Sequence, residues 1–390
     1  MSVSYWNDFS KNNHLEVDIA IIGGGITGFS IAYWLQKEDP QLKIALIEKY
    51  EMCAGASGRN AGFVTCGSVE HFNRLVTKHG EKEALEIWNF SEQNLNLLKE
   101  EIIQNQAPEF LFEQKGSFSL ASSDNEFKEL QDSAKLMKQM NINVEVIDRN
   151  GIEKRLSAVN FVGGIKYIDD GSVHPVKLVN GIRKKLSSKV HLLESHEVHS
   201  IEQEGELKKI RTNKTNIHAQ MVVMATNGYS NLMNSYFSDK IFPTRGQILA
   251  TEPVPLFMEG PCYANFVLDY FRQLPTGEMI IGGFRQLQKD VEKGYSDETS
   301  DVIQTALEKF LIEHIPPVRK AKITHRWSGI MGFSVDGQPL IGALPQDQQI
   351  FFCGGYTGHG IGLAFHSAKT LVDSIFGRPI PKFISAKRFH

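Results

Sequence analysis

The stretch Val17–Glu48 reads VDIAIIGGGITGFSIAYWLQKEDPQLKIALIE. Five of its first six residues are apolar and four of these are β-branched, which is typical of a short buried strand. The run GGGITG at 23–28 follows directly, fits the pattern G-x-G-x-x-G and opens an apolar helical periodicity. A second strand at 43–47 ends in Glu48, 20 positions after Gly28. This order of elements predicts a dinucleotide-binding βαβ unit.

Each residue type in this unit has a physical role. Gly23 permits a tight turn, Gly25 lets the backbone approach a pyrophosphate, and Gly28 lets the helix pack closely on the strand. The helix N-terminus offers free N–H groups to phosphates, and the Glu48 carboxylate can accept hydrogen bonds from ribose hydroxyls. The expected nucleotide contacts are Gly23, Gly25, Ile26, Thr27, Gly28, Glu48 and Lys49. The pattern alone does not choose between NAD and FAD, and a glycine-rich turn in an unrelated α/β protein is the alternative.

Length and composition exclude several classes of protein. The 390 residues suffice for two or three domains, and the net charge of −3 gives no electrostatic reason to expect nucleic acid as a partner. The four cysteines (Cys53, Cys66, Cys262 and Cys353) lack C-x-x-C spacing, so we expect no metal site and a reducing compartment. No signal peptide or apolar run of about 18 residues is visible. We therefore expect a cytoplasmic protein without an integral membrane segment.

The loop after Glu48 is rich in small residues. It reads CAGASGRNAGF at 53–63, and seven of these eleven residues are Gly, Ala or Ser. Such a loop lets a flat ligand lie against the backbone, and Arg59 and Asn60 add polar groups. The expected ligand contacts are Ala56, Ser57, Gly58, Arg59, Asn60, Ala61 and Gly62. The alternative is a turn whose small residues serve only helix packing.

These motifs together resemble the D-amino-acid-oxidase-like superfamily of FAD enzymes, which includes glycine oxidase and sarcosine oxidase. The form SGRN-A-G is most similar to the γ-glutamylputrescine oxidoreductase branch, which oxidises amines. The resemblance implies that the first dinucleotide fold holds the ADP half of FAD. It covers nearly the whole chain and is weaker over residues 70–160.

Further segments resemble family signatures. They are DGSVHP at 170–175, ATNG at 225–228, PTRGQ at 243–247, WSGIMGFSVDGQPLIG at 327–342 and GYTGHGIG at 355–362. The resemblance adds Ala225, Thr226, Gly228, Gly329, Gly358, His359, Gly360 and Ile361 to the expected FAD contacts. It also implies that the last helix points its N-terminus at the N1–C2=O edge of the flavin, where reduction leaves negative charge.

The fold class expected is α/β with an α+β substrate domain. A Rossmann-like FAD-binding domain, discontinuous in sequence, would comprise residues 15–90, 150–235 and 325–390. A substrate-binding domain with a mixed antiparallel sheet would comprise 91–149 and 236–324. In the family this sheet covers the flavin.

Departures from the relatives narrow the expected substrate. Glycine oxidase carries carboxylate-binding arginines where this chain has Met331 and, in the last glycine-rich loop, Tyr356, so a small α-amino acid is less expected than an amine. The substrate contacts expected are Tyr270, Arg272, Met331 and Tyr356. The catalytic candidates are Arg59, Tyr270 and His359.

The resemblance implies hydride transfer from the carbon next to the substrate nitrogen to flavin N5, followed by hydrolysis of an imine. Residues 327–342 lack the cysteine, and the loop at Arg59 lacks the histidine, that tether FAD in some relatives, so we expect non-covalent FAD. No lysine lies near 279–281, where sarcosine oxidase activates oxygen, so we expect oxygen to be a poor electron acceptor. The choice between oxygen, a quinone and another acceptor stays open. The alternatives are an amino-acid oxidase or dehydrogenase, a tRNA-modifying oxidase and a catalytically inactive flavoprotein that serves as a binding module.

Overall fold

The computed structural model of the protein describes residues 14–67, 69–265 and 269–389. Its strands are β1 (His14–Ile22), β2 (Ile44–Ile47), β3 (Phe63–Val64), β4 (Ser117–Ala121), β5 (Val144–Asp148), β6 (Gly163–Tyr167), β7 (Gly171–Ser172), β8 (Val190–Leu193), β9 (Val198–Glu204), β10 (Leu207–Thr212), β11 (Asn216–Met224), β12 (Ile241–Thr251), β13 (Cys262–Ala264), β14 (Asp269–Gln273), β15 (Met279–Gly282), β16 (Ile323–Ser334), β17 (Leu340–Leu344) and β18 (Asp347–Gly354).

The α-helices are α1 (Ile26–Glu38), α2 (Val69–Leu98), α3 (Asp124–Gln139), α4 (Arg149–Leu156), α5 (Pro175–Lys184), α6 (Ser230–Met233), α7 (Asp301–His314) and α8 (Gly360–Ile375). A positive φ of 79° at Gly80 interrupts α2. Across the described part of the chain, no helix has both the length and the apolar character needed to span a bilayer.

The chain forms two compact units. Unit 1 consists of the described parts of Met1–Gly58, Leu178–Thr244 and Met331–His390, and unit 2 of Arg59–Lys177 and Arg245–Ile330. The predicted boundaries differ from this division, because they assign residues 59–90, 150–177 and 325–330 to the nucleotide-binding domain and residues 236–244 to the substrate-binding domain. The antiparallel pair of β3 and β7 instead joins Phe63–Val64 to Gly171–Ser172 within unit 2. The assignment of one domain to FAD and one to substrate stays a prediction.

Unit 1 is built on a largely parallel sheet, as the sequence predicts. The strand order is β17-β18-β11-β1-β2-β8, with β10 and β9 continuing from β11. β1 pairs in parallel with β2 and with β11, so that Ile22 lies beside Ile47 and Met224. This register brings the carboxyl ends of three strands to one edge, and Gly23, Glu48 and Ala225 follow them there.

Helices α1 and α8 pack on each other in unit 1. The Trp34 indole N–H donates a hydrogen bond to the Phe365 carbonyl oxygen over 3.1 Å, and the two rings lie 5.1 Å apart. Both side chains are buried, which fixes α8 against the helix that opens at the glycine turn.

Unit 2 contains a mixed, mainly antiparallel sheet, which confirms the predicted class. The strand order is β16-β12-β15-β14-β13-β4-β6-β5, and β13 and β4 form a parallel pair. β14 begins at Asp269, directly after residues that lie outside the described ranges. Buried side chains such as Phe118, Phe271 and Leu307 form the core between this sheet and α7.

Candidate functional site

The turn after β1 has no room for side chains. Gly23 has a φ of +117°, and a Cβ there would lie 2.6 Å from the Ala225 carbonyl oxygen. A Cβ on Gly28 would lie 2.0 Å from the Gly23 carbonyl oxygen and 3.0 Å from Leu46 Cδ1. Backbone contacts at these distances exclude any residue with a Cβ, so the roles predicted for Gly23 and Gly28 are consistent with the packing.

The Glu48 carboxylate is oriented by backbone donors. Its Oε2 accepts a hydrogen bond from the Gly24 N–H over 2.8 Å, and its Oε1 accepts one from the Tyr50 N–H over 3.0 Å. Each oxygen keeps further acceptor capacity, and the residue is half-buried. The carboxylate is therefore fixed beside the glycine turn with free lone pairs for hydroxyl donors.

Ser57 lies over the start of α1. Its hydroxyl oxygen accepts a hydrogen bond from the Ile26 N–H over 2.9 Å, and a Cβ on Gly25 would lie 2.7 Å from that oxygen. Gly25 therefore makes room for Ser57, a role that differs from the one predicted for it. Within the described residues, the N–H groups of Thr27 and Gly28 have no hydrogen-bond acceptor. Two donors at the helix N-terminus thus remain for an anion.

Asn227 was not predicted as a site residue, although it lies in the ATNG segment. Its Oδ1 accepts a hydrogen bond from the Gly355 N–H over 2.9 Å. A Cβ on Gly332 would lie 2.5 Å from the same oxygen, and one on Gly228 would lie 2.9 Å from the Met331 carbonyl oxygen. Asn227 therefore bonds to the loop that follows β18 and packs against the end of β16. The signal available in the sequence was the Asn-Gly pair, which favours the left-handed backbone that Asn227 adopts with a φ of 44°.

Tyr356 is only 4% exposed. Its hydroxyl forms hydrogen bonds with Thr27 Oγ1 at 2.9 Å and with Cys353 Sγ at 3.2 Å. These contacts connect the last glycine-rich loop to the N-terminus of α1, and they give the predicted substrate role of Tyr356 no support.

His359 precedes α8 in unit 1. Its Nδ1 lies 3.1 Å from the Thr357 carbonyl oxygen, so this nitrogen carries the proton, and its backbone N–H donates to Tyr356. Gly358 is exposed with a φ of +88°, and a Cβ there would meet only Met331 Sδ and Phe333 Cζ, both at 3.9 Å. The loop before α8 thus has open space above it.

The remaining expected contacts of unit 1 take part in local structure. Lys49 forms an ion pair with Glu197 at 2.9 Å, and Thr226 Oγ1 bonds with Ser230 Oγ at 2.9 Å. Ile361 is buried in the first turn of α8. Ala56–Gly58 form a single 3-10 turn.

In unit 2, Arg59 is held by the WSG segment. Its Nη1 donates to the Ser328 carbonyl oxygen over 2.9 Å, and the Trp327 indole N–H donates to the Arg59 carbonyl oxygen over 3.0 Å. A Cβ on Gly329 would lie 3.0 Å from Arg59 Cβ. Two motifs that are 268 positions apart therefore form one structural element.

Arg272 is the most unusual side chain in unit 2. It is 1% exposed, and its Nη1 donates to the carbonyl oxygens of Gly62 at 2.9 Å and Val173 at 3.3 Å. Its Nε and Nη2 are buried without a hydrogen-bond partner among the described residues. Burial lowers the pKa of Arg272 to about 10, so the guanidinium is still charged at neutral pH. A buried cation with two unused donors costs free energy unless an acceptor pairs with it.

Three other arginines show what the Nε/Nη2 edge usually binds. Arg155 with Glu259, Arg245 with Glu292 and Arg388 with Asp336 each use Nε and Nη2 to hold two oxygens of one carboxylate, at 2.6–3.0 Å. The same edge of Arg272 has no carboxylate. The hydrogen-bonding capacity of this edge, which matches a group with two adjacent acceptor atoms, is therefore unmet among the described residues.

Tyr270 precedes Arg272 by two positions on β14. Its ring lies over Gly282, where a Cβ would be 2.4 Å from the hydroxyl oxygen, and 5.9 Å from the Phe63 ring. Burial raises the pKa of Tyr270 to about 12, so the hydroxyl is protonated at neutral pH. Tyr270 can donate a hydrogen bond there, but it cannot act as a base.

The predicted residues thus fall into two groups. Unit 1 brings together the glycine turn, Glu48, Ser57, Ala225, Gly228, Met331, Tyr356 and the loop before α8. Unit 2 brings together Arg59–Gly62, Tyr270, Arg272 and Gly329, and Ala61 packs on Ile248, Ala250 and Ile280. Within the described ranges, no group of His, Cys, Asp or Glu is placed to hold a metal ion.

Comparisons with known proteins identify the family of this chain and several of its relatives. A family described as FAD dependent oxidoreductase (DAO) matches residues 18–374. The probable oxidoreductase OrdL of Haemophilus influenzae is 24% identical and aligns over 92% of this chain and 83% of its own. The γ-glutamylputrescine oxidoreductase of Escherichia coli is 22% identical, with 94% and 85% covered. The structure of glycine oxidase from Geobacillus kaustophilus has a TM-score of 0.80 at 19% identity, with 95% and 96% covered.

Asp170, before the β7 pair in unit 2, allows a test of the structure through pH. Its Oδ1 accepts from the Cys66 N–H at 3.1 Å and its Oδ2 from Ser117 Oγ at 2.5 Å, and burial raises its pKa to about 7. The folded chain therefore holds this proton more tightly than the unfolded chain, whose Asp pKa is about 4. The stability from this proton is present below pH ~4 and is lost as pH rises to about 7.

We predict that Asp170→Asn removes the pH dependence of the unfolding free energy that comes from Asp170. The amide stays neutral at every pH, and its oxygen still accepts one hydrogen bond. The difference in unfolding free energy between the two proteins should change by up to about 1.4 kcal/mol per pH unit between pH 5 and 7, in favour of the variant at higher pH. Denaturant unfolding at several pH values measures it. Parallel pH curves for the two proteins would contradict the placement of this carboxyl.

Proposed function

Because the chain belongs to the family of FAD-dependent oxidoreductases whose pattern matches residues 18–374, we propose that it oxidises the C–N bond of an amine or an N-substituted amino compound. The family resemblance predicted from the motifs is confirmed, and so is the cofactor FAD. Enzymes of this family act on amines or amino acids. The choice between these substrate classes is our proposal.

We assign the nucleotide half of FAD to unit 1. The glycine turn leaves space that a Cβ would fill, the N–H groups of Thr27 and Gly28 are available to phosphate oxygens, and Glu48 is available to ribose hydroxyls. We assign the loop before α8, which lies in the same unit, to the flavin half. The FAD contacts expected in the segment Arg59–Gly62 of unit 2 stay a prediction. The four cysteines are buried and lie outside residues 327–342, which supports non-covalent attachment.

The observation that carries the substrate proposal is the free edge of Arg272. It suits a carboxylate or another two-acceptor group on the substrate, and its burial makes such a pairing strong. Met331 has no charge and the Tyr356 hydroxyl is engaged by Thr27, so neither replaces the carboxylate-binding arginines of glycine oxidase. The substrate we favour therefore carries its acidic or carbonyl group at a distance from the reacting amine.

Bound FAD would provide the acceptor for the hydride that leaves the substrate carbon next to the amine nitrogen. The protein then has to bind the amine in its neutral form, since Tyr270 remains protonated and cannot accept the proton of an ammonium group. Tyr270 and Arg272 share one face of β14 and orient the substrate by hydrogen bonds. The resulting imine is hydrolysed by water.

A second candidate is an amino-acid oxidase or dehydrogenase in which Arg272 holds the α-carboxylate. The same free edge favours it, because a bidentate carboxylate fills both donors. A catalytically inactive flavoprotein is the candidate of another class. The net charge of −3 speaks against a tRNA-modifying oxidase.

Anaerobic reduction of the bound flavin separates these candidates. We predict that γ-glutamyl amines and simple amines bleach the long-wavelength flavin band faster than glycine or D-alanine. The reverse order would favour the amino-acid enzyme, and failure of the whole panel would favour the inactive module. Reoxidation of the reduced protein by air or by a quinone then identifies the electron acceptor.

We predict that Arg272→Lys weakens acetate binding by about a hundredfold, because lysine keeps the charge but loses the two-donor edge. The shift of the flavin absorption band on titration with acetate measures it, and acetamide serves as the neutral ligand. Arg149→Lys, an exposed change in the same unit, is the control and should leave acetate binding unchanged. Equal acetate affinity in Arg272→Lys and the wild type would remove Arg272 from the substrate site.

A further inference from the structure

Unit 2 contains a cavity of about 330 Å³ that none of the functions above uses. It lies between α2, the segment that follows β3 and the end of β6. Its wall includes two aromatic rings, three carboxylic acids and one thiol, contributed by Trp88, Tyr167, Glu92, Asp169, Asp170 and Cys66. The rings of Trp88 and Tyr167 pack 5.5 Å apart and form an aromatic wall. The three acids share the rest of the lining with one lysine and with amide, hydroxyl and aliphatic side chains.

The acids of this cavity have no cationic partner. Glu92 accepts a hydrogen bond from the Trp88 indole N–H over 3.0 Å, and Asp170 bonds only to neutral donors. Among the ion pairs formed by the described residues, none involves Glu92, Asp169 or Asp170. Lys99 also lines the cavity, but its Nζ donates to Gln114 Oε1 at 2.8 Å. Burial, with some repulsion from Asp169, raises the pKa of Glu92.

A second observation is independent of the acids. Tyr167 is 2% exposed and lines the cavity, and its hydroxyl has no hydrogen-bond partner among the described residues. Burial is the main cause that raises the pKa of Tyr167. The nearby Ser119 hydroxyl lowers this pKa, and Asp170, Tyr263 and Cys66 raise it further. The neighbouring Ser119 hydroxyl also lacks a partner. A buried phenol without a partner is costly unless a ligand supplies one.

We propose that this cavity binds a small organic ammonium ion, such as that of a primary alkylamine. Its N–H groups would donate to Glu92, Asp169 and the Tyr167 oxygen, and its charge and alkyl chain would lie against the Trp88 and Tyr167 rings. An organic cation fits better than a metal ion, because the described residues contain no group placed to coordinate one. The volume of about 330 Å³ suits a chain of a few carbon atoms.

Titration calorimetry of the oxidised holoenzyme with n-butylamine hydrochloride tests this proposal, with 1-butanol as the neutral ligand of similar size. We expect saturable binding of the amine and none of the alcohol. Glu92→Gln should weaken binding about tenfold, since the amide still accepts from Trp88 but has no charge. Tyr167→Phe should also weaken amine binding without lowering the unfolding temperature, because the hydroxyl has no hydrogen-bond partner among the described residues. Glu86→Gln, on the exposed side of α2, is the matched control.

Equal butylamine affinity in wild type, Glu92→Gln and Tyr167→Phe would overturn the proposal, as would the absence of saturable binding. Should Glu92→Gln misfold, Asp169→Asn at an exposed position replaces it. The same variants distinguish two sources of the ammonium. A higher amine concentration for half-maximal flavin reduction in Glu92→Gln would identify the enzyme's own substrate, and an unchanged value a separate free amine. Either outcome of the flavin reduction assay is interpreted only if calorimetry has shown saturable binding of butylamine.

Discussion

The contact between Gly28 and the Gly23 carbonyl oxygen is the constraint on which unit 1 depends. Because a Cβ at position 28 would lie only 2.0 Å from that oxygen, α1 can start directly at the end of β1 only with glycine there. This start places the N–H groups of Thr27 and Gly28 at the sheet edge where Glu48 and Ala225 also lie. One backbone approach thus positions the helix dipole, the carboxylate and the returning strand for a nucleotide diphosphate.

Unit 2 depends in a similar way on Arg272. Its Nη1 bonds hold Gly62 and Val173, so the segment after the small-residue loop is fixed on the face of β14. The charge is buried without a hydrogen-bonded carboxylate among the described residues, and the negative charge of Glu113 offsets only part of the cost of burial. Three other arginines each pair with a carboxylate. A structural arginine could be replaced by a neutral donor, so the retained charge and the free edge favour a role toward an anionic ligand.

The sequence predicts the local parts of this structure and fails on the long-range ones. The β1–α1–β2 unit follows from apolar periodicity and glycine spacing, which depend on neighbouring residues. The contact of Ser57 with the start of α1, the bond between Asn227 and Gly355 and the Arg59–Trp327 pair join distant positions, and no local pattern contains them. The cavity beside Trp88 escapes prediction for the same reason: its acids are dispersed over α2 and the segment after β6.

The most direct test is to identify and count the chromophore in the purified protein. The account predicts a yellow protein that, after denaturation, releases about one equivalent of FAD per chain into the soluble fraction, and that regains its colour when apoprotein is mixed with FAD but not with riboflavin, which lacks the diphosphate. A protein that stays colourless with excess FAD, or that binds riboflavin equally well, would contradict the assignment of the diphosphate to the N-terminus of α1.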